Sequence, residues 1–133
     1  MSGLVRLQLS RKKGFSLQAA SRAINGRDAV SVARPSKWGN PWRVRDPVYL
    51  IDKNGRAYPR RSGMTPRETV ARHRESVEQD SSLSAMIVRE LRGKNIACAC
   101  GLDQPCHGDT YLELANRPIM TATPVLANPG PER

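Results

Sequence analysis

A small α/β domain with a Rossmann-like, three-layer form and a mostly parallel sheet is the fold this sequence predicts, on three observations. Short apolar runs alternate with amphipathic helical segments. Thr65-Pro66-Arg67-Glu68 is a capping box with proline at the first helical position. Asn95-Ile96-Ala97-Cys98-Ala99-Cys100 carries small or apolar side chains on both faces, as a central strand covered on both sides requires. A chain of 133 residues suits one modest core, and the domain is expected to occupy residues 1–118.

Taken in order, Leu4 to Leu9 mixes alternation with apolar continuity and predicts a first strand, followed by the basic turn Ser10-Arg11-Lys12-Lys13-Gly14. Ser16 to Ile24 predicts a short helix closed by Asn25-Gly26. Ala29 to Ala33 predicts a second strand running into Arg34-Pro35-Ser36-Lys37-Trp38-Gly39-Asn40-Pro41-Trp42, where two prolines and a glycine forbid a regular element. Residues 46–63 contain Asp52-Lys53-Asn54-Gly55 between two prolines, which predicts a hairpin or an ordered excursion. The capped helix should reach Gln79. Ser81 to Arg92 carries Leu83, Met86, Ile87 and Leu91 at helical spacing and stops at Gly93. Asp109 is expected to cap a last helix bearing Leu112, Leu114 and Ala115, ending before Arg117-Pro118. From Met120 the chain holds three prolines and no charge before Glu132, so residues 119–133 read as a disordered tail.

Charge points to a partner. Residues 1–61 hold 14 basic and 3 acidic residues, whereas 62–133 hold 8 and 9. A clustered positive field suits nucleic acid, a nucleotide or another phosphorylated molecule, and it places Arg11, Lys12 and Lys13 among the expected contacts to nucleic acid. The alternative is a solvated basic face. No run approaches a membrane span and no apolar signal core opens the chain, so no membrane partner and a cytoplasmic location are expected. Three cysteines, two of them one residue apart, do not make a secreted disulfide framework.

The segment from Lys94 to Asn116 concentrates the chemistry, at the strand-loop-helix junction where open α/β sheets place ligands. Amide groups and the helix dipole there favour negative charge, so they would bind phosphate or draw the Cys106 thiol toward thiolate, and Gly108 would admit a close ligand. Three readings compete. In the first, Cys98, Cys100, Cys106 and His107 hold a structural zinc ion. In the second, Cys106 or Asp109 acts on a substrate with His107 as proton carrier. In the third, Cys98 is a core residue, Cys100 plugs the strand end and His107 caps a turn. The second segment offers Arg34, Ser36 and Lys37 to phosphate, Trp38 and Trp42 as flat surfaces and Asn40 to a base edge or ribose. A tryptophan among Gly39, Asn40 and Pro41 is equally a loop anchor. His73, between Arg72 and Arg74, is expected to face solvent.

The motifs Arg11-Lys12-Lys13-Gly14, Val32 to Trp42, Gly93 to Cys100 and Cys106-His107-Gly108-Asp109 with Leu112 to Asn116, in this order, resemble the bacterial and phage family catalogued as domain of unknown function 4326, over roughly residues 4–117. The resemblance implies that the tryptophan loop and the Cys-His-Gly-Asp turn share one site. A weaker likeness of the last strand and Cys-His turn to Rossmann-like proteins suspected of handling nucleotides is analogy alone.

The expected function is therefore binding of a nucleotide, nucleoside or nucleic acid. Any enzyme activity is expected to be glycosidic-bond cleavage, base exchange or base modification. Two rivals stand beside it: a non-catalytic zinc-stabilised module that binds nucleic acid, and a phage or host regulatory protein that docks on an acidic protein.

Overall fold

The computed structural model describes residues 3–118. The expected disordered tail lies outside the described residues.

Three parallel strands form the central sheet in the order β1 (Arg6–Gln8), β5 (Asn95–Cys98), β2 (Ala29–Ser31). Helix α1 (Leu17–Asn25) connects β1 to β2. Helices α2 (Pro66–Glu78) and α3 (Ser81–Leu91) lead from β2 back to the central position, and α4 (His107–Ala115) follows β5. The two crossovers run in opposite directions across the sheet. A common handedness therefore puts their helices on opposite faces, and the side chains agree. Leu7, Ala29 and Ala97 pack with Leu17 and Ala20 of α1 on one face. Ile96 and Cys98 pack with Val77, Ile87, Leu91, Tyr111 and Ala115 on the other. This period-two division along β5 is why a central strand needs small or apolar residues at every position.

Local signals account for the element ends. Ser16 caps α1 and Gly26 closes it in the left-handed conformation at φ 78°. Thr65 and Glu68 complete the capping box of α2, and Glu68 also receives Arg60, which ties the preceding excursion to the helix. That excursion contains the antiparallel hairpin β3 (Tyr49–Ile51) and β4 (Ala57–Pro59), whose residues are all exposed. Asn95 occupies the α1 face of β5. Its Oδ1 accepts from the Val5 amide at 3.1 Å and Asn25 Nδ2 at 2.8 Å, while its Nδ2 donates to Ser21 Oγ at 2.7 Å. This satisfied polar cluster fastens α1 to the sheet.

Two expectations are corrected. Asp109 does not cap α4: the extended residue is Cys106, whose sulfur accepts the Gly108 amide at 3.4 Å, and Asp109 lies within the first turn. His73 does not face solvent. It is 2% exposed, because Thr69, His73 and Val77 recur every four residues along the inward stripe of α2.

Candidate functional site

All three strands point the same way, so the loops after β1, β2 and β5 emerge at one edge of the sheet. They bring the basic turn, the tryptophan loop and the cysteine loop to that edge. Between the last two lies a cleft of about 370 Å³, with Arg34, Asn40 and Trp42 on one side and Cys98, Cys100, Gln104 and His107 on the other. Pro66, Thr69 and Val70 from the start of α2 complete the wall.

The tryptophan loop is held by its own polar groups. Arg34 donates through Nη1 to the carbonyls of Asn40 and Trp42. Asn40 is buried, donating to the Thr69 carbonyl at 3.1 Å and accepting the Trp42 amide at 2.9 Å. Ser36 Oγ accepts the Trp38 amide at 3.3 Å. Trp38 is a core anchor, edge-on to Tyr111 with ring centroids 5.4 Å apart. Lys37 pairs with Glu90 at 2.7 Å and sits over the Trp38 ring. The residues of this loop that border the cleft are thus Arg34, Asn40 and Trp42.

On the opposite side, Cys98 and Cys100 project together from the strand end with sulfurs 3.7 Å apart, and the Sγ atoms of Cys98, Cys100 and Cys106 all lie within 4.8 Å of one another. The neighbouring Cys106 thiol is the largest influence drawing Cys98 down to about 5. Proximity to Cys98, together with burial, pushes Cys106 up, against the opposing pull of the Gly108 amide. Burial raises Cys100. The trio favours one shared negative charge.

His107 donates from Nε2 to the Val32 carbonyl at 2.8 Å, and its Nδ1 lies 4.0 Å from Cys106 Sγ. Behind it, His73 Nε2 meets the Tyr111 hydroxyl at 3.0 Å, and the two imidazoles are edge-on with centroids 5.0 Å apart. Burial, with a smaller contribution from His107, lowers His73 to about 4, so it is neutral at pH 7, and its Nδ1 has no partner among the described residues. Burial likewise raises Tyr111 to about 12.

Asp109 is exposed and accepts Arg6 Nε at 2.9 Å, whereas the Arg6 side chain is only 7% exposed. Arg6 also reaches the carbonyls of Cys100, Gly101, Leu102 and Gln104 at 3.1–3.5 Å, closing the cysteine loop around its guanidinium. Gly108 is closely packed inside the protein: an added Cβ would lie 3.1 Å from Arg6 Cδ and 3.2 Å from Ile96 Cγ2. Arg11, Lys12 and Lys13 are exposed on the turn after β1.

Sequence reasoning missed Arg6, His73 and Tyr111. Arg6 is a charged residue in an otherwise apolar run, and Tyr111 follows His107 by four residues, one helical turn along the same face. Both signals were available.

The family model for the domain of unknown function DUF4326 matches residues 15–117, which is 103 of the 133 residues, and the chain belongs to that family. The matched region starts after β1, so Arg6 and the basic turn precede it. Neither a curated protein nor a solved structure matches the chain.

Proposed function

Starting from that family membership, we propose that the cleft between the tryptophan and cysteine loops binds a nucleoside or nucleotide, free or at the end of a nucleic-acid strand. The observation that carries the proposal is the position of the cleft, at the carboxyl edge of a parallel sheet with Arg34 and Trp42 facing His107. Trp42 supplies the stacking surface, because Trp38 is committed to the core. Arg34 Nε and Nη2 have no protein partner among the described residues and are available to phosphate. The amino-terminal ends of α2 and α4 add their positive dipole ends on the same side. Gln104 and the Thr69 region give the polar contacts that discriminate a base edge or a sugar.

Turnover is not needed for this reading. For a ligand that is turned over, glycosidic-bond cleavage, base exchange or base modification are the classes, with His107, the imidazole on the cleft wall, as proton carrier.

Calorimetric titration with nucleosides, nucleoside mono- and diphosphates and short single strands tests the proposal. Binding by at least one member is expected, weakened about tenfold or more in Trp42→Ala because a base-aromatic stack contributes ~1–3 kcal/mol. A panel that shows no binding, or binding indifferent to Trp42→Ala and Arg34→Lys, would sink it. Affinity that collapses steeply with salt and ignores Trp42 would instead favour a nucleic-acid module acting through the exposed basic turn.

A further inference from the structure

We propose that Cys98, Cys100 and Cys106 form a three-thiolate zinc site whose fourth coordination position opens on the cleft. A tetrahedral zinc with Zn–S near ~2.3 Å keeps its sulfurs about 3.8 Å apart. Cys98 and Cys100 are already 3.7 Å apart, and the third sulfur lies within 4.8 Å of both. Closing the remaining gap takes movements of less than about 1 Å, which side-chain rotation at a loop supplies.

The ligands come from two elements. Cys98 and Cys100 project to one side of the β5 end, and Cys106 sits at the extended cap of α4, behind them and out of the cleft lining. Arg6 holds the intervening loop closed through its carbonyls, so the spacing is built rather than incidental. The charge also balances. Three thiolates and a dication carry one net negative charge, and the guanidinium of Arg6 lies against the same loop. Soft thiolate donors select zinc over the hard oxygen-seeking ions, and coordination releases the thiol protons to solvent.

No fourth protein ligand is in place among the described residues. His107 is the nearest candidate, but its Nε2 is committed to the Val32 carbonyl and its Nδ1 approaches only Cys106, at 4.0 Å. Cys98 and Cys100 border the cleft, so the vacant vertex faces it. Water, or a donor atom of the molecule bound there, completes the tetrahedron. Three protein ligands with one exchangeable position is the arrangement of reactive rather than purely structural zinc sites. The inference rests on the sulfur geometry and stands whether or not the cleft ligand is a nucleotide.

Cobalt(II) is the probe. Reduced, chelator-treated full-length protein titrated with cobalt under anaerobic conditions should bind one ion per chain. It should show sulfur-to-cobalt charge transfer with tetrahedral ligand-field bands, and zinc should displace the cobalt. Cys100→Ser, the least buried of the three positions, should keep the far-ultraviolet circular dichroism of the parent and weaken cobalt binding at least tenfold. Azide added to the cobalt protein should shift the ligand-field bands. Failure of the reduced protein to bind, or binding unchanged in Cys100→Ser, would overturn the site. Binding with bands that azide leaves unmoved would overturn its open position and mark a site closed by His107. No nucleotide enters these measurements, so their failure is distinct from failure of the nucleotide panel.

Discussion

At the scale of single residues, small side chains and buried ones shape the cleft more than the exposed charges do. Gly39 illustrates this. A Cβ there would stand 2.7 Å from Arg34 Cγ and 3.2 Å from the Arg34 backbone. Gly39→Ala should therefore displace Arg34 while leaving the core intact. The expected outcome is a modest fall in melting temperature with a several-fold loss of ligand affinity; full affinity would show that Arg34 is not part of the binding wall. His73 gives a pH prediction. Its folded-state pKa is about 4 against 6.5 when solvated, so the unfolded chain binds the extra proton between those values. Its contribution is present above pH 6.5 and is lost as pH falls toward 4, with an amplitude of at most ~3 kcal/mol. Glu68 and Glu113, both held near 2 by arginine hydrogen bonds, act at lower pH. Denaturant titrations at pH 7 and 4.5 should show this loss in the parent and a smaller one in His73→Gln, which keeps a partner for Tyr111. Equal losses in both would remove His73 as the source.

At the scale of elements, Arg6 joins β1 to the cysteine loop and to α4. Replacing it by Met keeps the packing stem and deletes the donors to four carbonyls and one carboxylate. Hydrogen bonds to a charged donor contribute ~1.5–3 kcal/mol each where buried, though the exposed Asp109 end contributes less. Arg6→Met is expected to lower stability by about 2–3 kcal/mol and to speed amide exchange at Gly101 to Gln104 selectively. Uniform exchange throughout the chain would instead indicate a global loss. The same elements show how far the sequence could be read. Helices α1 and α2 were legible because Ser16, Thr65-Pro66-Arg67-Glu68 and the glycine after α1 are local signals that depend on no distant partner, and α3 was legible from the helical spacing of Leu83, Met86, Ile87 and Leu91. The buried central strand was legible from its small residues. What stayed hidden is what long-range contact decides: the cap of α4 is Cys106 because three sulfurs and Arg6 converge there, and His73 turns inward because Tyr111 and His107 wait on another helix. The pairing of the tryptophan loop with the cysteine loop was anticipated only through the family resemblance.

At the scale of the whole molecule, charge and fold divide the work. Of the basic residues in the first 61 positions, Arg22, Lys37 and Arg60 are paired with carboxylates and Arg6 is enclosed. Arg11, Lys12, Lys13, Lys53, Arg56 and Arg61 have no carboxylate within ion-pair distance among the described residues. They lie on the turn after β1 and on the hairpin excursion rather than in the cleft. No helix among the described residues is long and apolar enough to cross a membrane. A pocketed mononucleotide is therefore expected to bind with weak salt dependence, while a longer strand reaching the outer basic groups gains affinity that salt removes. Comparing a mononucleotide with an extended oligonucleotide across an ionic-strength series checks this, and identical slopes for both would contradict it. In the proposed function the ligand sits in the cleft between the two loops. The most direct measurement of this is a nitrogen-15 chemical-shift titration with a nucleoside monophosphate. Shifts confined to Ala33 to Trp42, Thr69 and Val70, and Cys98 to His107 are expected; shifts absent there, or restricted to the Arg11–Lys13 turn and the hairpin, would contradict binding in the cleft.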